Sequence, residues 1–187
     1  MSGNTEAEKQ VAVLQRFVDR YPDDLRGIVE ALNDGEMPEE AQRALVGGLN
    51  YGLDMLDMFP DHFKGIGIAD DAIVLRLAAK QAVAAGAAQL AIGSLANEAP
   101  EVAEIFGELY GPLEQLVAKL PGTEVRGRTA DKIVSHKDTR VAFLADVGRE
   151  AKRHTPQPIE MTGGPERAII ELQKMMRHGI KKAGIEV

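Results

Sequence analysis

Apolar residues in this 187-residue chain recur at spacings of three and four along most of its length, and no stretch alternates apolar with polar. The first period lines one face of an α-helix and alternation would line one face of a strand, so the spacing predicts helices and no sheet. The kind of apolar residue points the same way. Ala and Leu dominate, with five Phe, three Tyr and no Trp. Ala and Leu favour helices, whereas strands draw on β-branched and aromatic side chains. With 44% apolar residues the chain can fill a core of ordinary domain size. The expected fold is all-α, a compact bundle of about six to eight helices.

Proline, glycine and short polar residues divide the pattern. Asn4 or Thr5 is placed to cap a first helix carrying Val11, Leu14, Phe17, Val18 and Tyr21. Pro22-Asp23-Asp24 reads as the start of a second helix, its carboxylates at the positive end, and Asn33-Asp34-Gly35 as its stop. Pro38-Glu39-Glu40 opens a third through Leu45, Leu49, Leu53 and Leu56. Residues 60–68 hold a proline and two glycines and read as a loop, after which Asp70 or Asp71 caps a long helix reaching Leu90 or Leu95. A further helix follows Pro100, kinks at Gly111-Pro112 and ends at Pro121-Gly122. Short helices near Ala130–His136 and Thr139–Arg153 precede an extended linker, Thr155-Pro-Gln-Pro158. A terminal helix then runs to about Lys182. The reading divides the chain into a helical body, 1–154, and a linker with an amphipathic helix, 155–187.

Charge is uneven along the chain. Residues 1–122 hold 9 basic against 20 acidic side chains, and residues 123–187 hold 13 against 9. An acidic body repels phosphates, so a nucleic-acid partner is disfavoured, and the basic last third is expected to pack on the acidic body. With no cysteine there are no disulfides, thiolate nucleophiles or Cys-ligated metals, which fits the cytoplasm. The polar, acidic start of the chain does not read as a secretory signal. Gln81 to Asn97 carries no charge but is short, Ala- and Gly-rich and interrupted by Gln81, Gln89 and Ser94. It reads as a closely packed helix and not a membrane span.

One segment concentrates chemistry. From Tyr51 to Asp71 run five carboxylates, a proline, three glycines and His62, bounded by two apolar helices. A helix–loop–helix there would bring together Asp57, Asp61, Asp70 and Asp71. Short acidic side chains often do no more than cap helix ends and turns. The alternative is a hard divalent cation, Mg²⁺ or Ca²⁺, held by Asp57, Asp61, Asp70 and Asp71 with His62 nearby, since clustered carboxylates repel unless a cation or protons intervene. The spacing is not that of an EF-hand loop.

Tyr51, Asp57, Pro60-Asp61, Gly67 and Asp70-Asp71 resemble the bacterial YkvA-like family over about residues 49–80. That family's pattern is a tyrosine, a short gap, Pro-x-Asp, two apolar residues, Pro-Asp, a loop, a glycine, then Asp-Asp opening an apolar helix. Met55 replaces its first proline here, and His62 and Lys64 replace apolar positions. The resemblance implies a helical domain of unknown biochemical role and supplies no reaction.

Elsewhere the catalytic signatures fail. Gly65-Ile-Gly67 follows no strand and lacks a third glycine, and the chain has no Walker lysine motif or nucleophile elbow. His62, His136, His154 and His178 are scattered, and Ser135-His136 are sequence neighbours expected to point apart. The terminal helix sets Lys174, Arg177, His178, Lys181 and Lys182 opposite Ile169, Ile170, Leu172, Met176 and Ile180. That face is either a packed stripe or a partner-binding surface centred on Met176, Ile180, Arg177 and Lys181. The sequence therefore favours a non-enzymatic interaction or regulatory module with a protein partner, and leaves self-association open. A metal-binding protein or metal-dependent hydrolase is the first alternative, and association with a membrane surface the second.

Overall fold

Thr5 opens the first helix through a capping box: its hydroxyl accepts from Glu8 N, and the Glu8 carboxylate accepts from Thr5 N. This helix, α1 (Glu6–Asn33), continues straight past Pro22. The computed structural model, which describes residues 5–53, 58, 66–159 and 163–187, thus joins two helices that the sequence separates. A proline inside a helix costs about 3 kcal/mol. Burial along one face of α1 offsets that, because Leu14, Phe17 and Val18 before Pro22 and Leu25, Ile28 and Leu32 after it enter the same core, at roughly 1.5–3 kcal/mol each. Asp24, expected at the positive end of a new helix, stands instead inside α1 and is buried.

Helix α2 (Glu39–Tyr51) begins after Pro38 as expected but stops before Leu53, which lies in a turn. Helix α3 (Ala69–Ala84) follows, with Ile68 at the cap. Asp70 and Asp71 are therefore not its N-caps. They stand inside the first turn and are buried. The long helix expected to reach Leu90 or Leu95 ends at Ala84, and Gly86 turns the chain into α4 (Leu90–Ala96). The 17 uncharged residues thus span two helices, and no helix among the described residues is long and apolar enough to cross a membrane.

Helix α5 (Ala99–Phe106) starts on Pro100. The chain then breaks at Gly107, in a 3₁₀ turn, and not at Gly111-Pro112, because Pro112 sits in the tolerant first turn of α6 (Tyr110–Lys119). Pro121-Gly122 ends that unit. A two-residue turn at Arg126-Gly127, both with positive φ, is closed by Val125 and Arg128, leaving that isolated bridge as the β pairing among the described residues. Helices α7 (Ala130–Ser135, capped by Thr129) and α8 (Lys137–Arg153) follow, then non-helical residues 154–159 and α9 (Pro165–Lys182).

The architecture is all-α. Helix α3 is its hub, apolar on nearly every side from Ala69 to Ala79, and it packs on α1, α2 and α4. Helices α8 and α9 lie on α1, and α7 lies on α2. Ile169, Leu172, Met176 and Ile180 of α9 join the same continuous core as α1.

A cation lies inside this hub. Arg76 is fully buried in α3. Its Nη2 lies 3.1 Å from Asp24 and 2.9 Å from Glu98, and Nη1 donates to the Ala72 carbonyl at 2.8 Å. Arg20 closes a ring from the other side, 2.6 Å from Glu98 and 3.4 Å from Asp24. The Arg76 guanidinium also stacks 3.7 Å above the Phe17 ring. Burial pushes the Asp24 carboxyl above the usual range, against the pull of Arg76 and Arg20, and lowers Arg76 in turn. Removing one member leaves a buried charge unmatched, so Arg76→Ala and Asp24→Ala are each expected to cost about 3 kcal/mol or more in urea unfolding. The double variant should lose clearly less than the two losses combined.

Candidate functional site at the start of the central helix

Helices α2 and α3 converge where one ends and the other begins. Tyr51, last residue of α2, donates its hydroxyl hydrogen to Asp70 Oδ2 at 2.7 Å. The Met58 backbone N–H then donates to both Tyr51 Oη and Asp70 Oδ2, each at 2.9 Å. Asp71 lies on the side of α1, close enough to Tyr21 for its charge to raise that phenol's pKa. Gly52 passes between the two systems. A Cβ there would lie 2.7 Å from Tyr21 Oη and 3.4 Å from the Asp71 carboxylate, so only glycine lets α2 end against this cluster. Gly67 lies in the buried turn directly before α3, closed by Ala69 N donating to Ile66 O at 2.8 Å.

Tyr51 and Asp70 therefore meet at this junction, with Gly67 in the turn before α3 and Asp71 beside Asp70, while the expected gathering turned on Asp57 and Asp61 joining that pair. Asp57, Pro60, Asp61 and His62 lie outside the described residues. Among the described residues no group of three or more His, Asp or Glu side chains is gathered as a metal site. What the cluster does chemically is hold protons. Burial raises both phenols well above their usual value, and the adjacent carboxylates raise them further. A neutral phenol beside a carboxylate is a stable hydrogen-bond donor, which suits an anchor more than a base.

His154 completes the surroundings, its ring meeting Tyr21 edge-on at 5.7 Å between centroids. Burial lowers its pKa, with Glu150 pulling the other way. Of the remaining histidines, His136 Nδ1 does lie 2.9 Å from Ser135 Oγ, although the two were expected to diverge, because the helix ends between them. The Ser135 hydroxyl donates to the Asp131 carbonyl at 2.6 Å, so its proton is directed away from the imidazole.

The residues expected to bind a partner on α9 divide by burial. Met176 and Ile180 are fully buried against the core, while Arg177 forms an ion pair with Glu108 and Lys181 is exposed. The α9 stripe is a packing face in this structure. A shallow concavity of about 170 Å³ lies between α1 and α8, walled by Leu25, Val29, Val147 and Ala151 with Arg26 and Glu30 beside them, and it gathers none of the predicted site residues.

Sequence reasoning missed Tyr21, Asp24, Arg76 and Glu98. Arg76 had a usable signal: a lone charge in the apolar run Ala72–Ala79 must be buried and paired if that helix is central. No local signal names Asp24 or Glu98 as its partners. Compared with protein-family models, with curated proteins and with solved structures, the chain gives no match.

Two pH dependences follow by linkage. Unfolded tyrosines lose their protons near pH 10, whereas the folded state keeps those of Tyr21 and Tyr51, so stability should fall as pH rises past about 10. Tyr21→Phe should make that alkaline loss shallower in urea titrations between pH 9 and 11. At the other end, unfolded His154 takes a proton near pH 6.5 and folded His154 resists it, so stability falls as pH drops below about 6.5. His154→Gln should remove that part of the acid sensitivity.

Proposed function

We propose that this chain is a non-enzymatic helical module that works by binding another protein, with a YkvA-like helix–loop–helix at its core. The observation that supports this reading most is the outer face of α9. Arg167, Lys174, His178, Lys181 and Lys182 are exposed there on a molecule whose net charge is −7. Ile170, 51% exposed, stands among them as an apolar contact. The opposite face of α9 is fixed in the core, so the basic strip is carried on a rigid support. A basic strip around one apolar anchor suits an acidic protein surface, where charge complementarity steers encounter and sets register. Arg177 and Lys181 belong to this surface, whereas Met176 and Ile180 would meet a partner only if α9 left the core. The engagement of Asp70 by the Tyr51 hydroxyl also favours a structural use of the acidic segment. The absence of cysteine suits a reducing compartment, and we place the module in the cytoplasm.

A photo-crosslinking residue in place of Ile170 tests the interface in cells. A discrete protein adduct is expected, and it should vanish in the Lys174→Glu/Lys181→Glu/Lys182→Glu variant while the helical spectrum and Tm stay unchanged. Equal capture by the charge-reversed protein would reject the strip. Salt-sensitive binding to anionic liposomes would point instead to a membrane surface.

A second reading has its own support in two adjacent buried carboxylates: a divalent-metal centre, or a metal-dependent hydrolase, drawing on Asp57, Asp61, Asp70 and Asp71. Thermal unfolding of chelator-treated protein separates it from the first. The interaction module predicts a Tm unmoved by Mg²⁺, Ca²⁺, Mn²⁺ or Zn²⁺. A metal-specific rise that disappears in Asp57→Asn/Asp61→Asn would assign the site, because a ligand bound only by the folded state must stabilise it.

A further inference from the structure

Met58 has two attachments that lie far apart in sequence. Its backbone N–H is held by Tyr51 Oη and Asp70 Oδ2 at the start of α3. Its side chain fills a notch on the C-terminal helix made by Gly179. A Cβ added at Gly179 would stand 2.2 Å from Met58 Cγ, 2.8 Å from Sδ and 2.9 Å from Cβ. Contact with the near atoms of the methionine, and not just its flexible end, means that no small rotation would relieve the clash. Helix α9 can dock in this position only because residue 179 is glycine.

We infer that Met58 couples the acidic segment to the C-terminal helix, so that docking of α9 and closure of the Tyr51–Asp70 anchor favour one another. The rest of α9 makes this two-ended. Leu172, Met176 and Ile180 seat the helix on the core around the notch, and the extended residues before it are fastened to α1 through Gln15, which accepts from Ile159 N at 2.7 Å and donates to the Gln157 carbonyl at 3.2 Å. Anything that loosens α9 withdraws the support under Met58. Linkage requires the reverse as well: whatever stabilises the anchor must stabilise docked α9 by the same factor. The inference stands on the contacts of Met58 and holds whichever ligand, protein or metal, the module takes.

Hydrogen exchange of the full chain, read on peptides reporting Tyr51–Leu53, Met58 and Ile66–Arg76 and on those from α9, tests the coupling. Glycine to alanine in a helix interior ordinarily slows exchange, because alanine is the better helix former. Gly148→Ala in α8, where an added Cβ meets nothing within 4 Å, is the control for that ordinary gain. Gly179→Ala should do the opposite at a distance, speeding exchange around Tyr51, Met58 and Asp70 by roughly tenfold, the scale that overpacking sets. Met58→Ala added to Gly179→Ala should restore protection of α9, since the colliding side chain is gone. Tyr51→Phe, which weakens the anchor without touching α9, should in turn speed exchange near Gly179. The coupling is overturned if Gly179→Ala changes α9 alone, if the two substitutions act additively, or if Tyr51→Phe leaves α9 unmoved. Should Gly179→Ala not fold, the Tyr51→Phe comparison decides by itself.

Discussion

A guanidinium in the middle of the most buried helix can be tolerated only if its surroundings supply matching charge. Arg76 meets that demand through Asp24 from α1, Glu98 at the head of α5, Arg20 on the rim of the ring and the face of Phe17. These partners must arrive together, because any one left alone in the interior would be an unmatched charge. The ring therefore fixes how α1, α3 and α5 approach each other. It also explains why α1 stays a single helix across Pro22: Phe17 and Arg20 lie before the proline and Asp24 after it, and all three must face Arg76 at once.

From that frame the acidic segment takes its position. Once α1 is registered against α3, Tyr21 comes to Asp71, and the end of α2 brings Tyr51 to Asp70 past Gly52. Tyrosine is the fitting partner here. A cationic partner would place a second charge in the interior, while a phenol whose pKa is raised by burial donates its hydrogen and stays neutral. Asp70 thereby ties α2 to α3 through Tyr51, and Asp71 lies where α1 approaches them. The C-terminal helix is drawn into the same system through Met58, so the last helix of the chain is packed on the segment that carries most of its unusual chemistry.

How much of this the residues announce varies with the range of the interaction. The capping box at Thr5, the stop at Asp34-Gly35, the starts beside Pro38 and Pro100 and the end of α8 before the proline-rich residues 154–159 are all local, and all are legible. Tyr51, Gly67, Asp70 and Asp71 stand out in the sequence as one motif within about twenty residues, but that spacing does not say that the Tyr51 phenol meets Asp70. Where expectation failed, something distant overrode a local preference. Pro22 does not break α1 because both flanking halves are buried, and Asp70, standing inside α3 and not at its cap, accepts instead from Tyr51 of α2.

By itself the sequence determined that the chain is helical, roughly where its helices begin and end, and which faces are apolar, since those follow from spacing and from the chemistry of neighbouring residues. It could not determine whether the α9 stripe waits for a partner or packs at home, because an amphipathic face is the same pattern in either case. Only the tertiary structure decided that Met176 and Ile180 are interior, that Arg76 finds Asp24 and Glu98, and that Gly179 opposes Met58. Each of those pairs is separated by tens of residues or more, and packing, not propensity, selects among the partners a side chain could have.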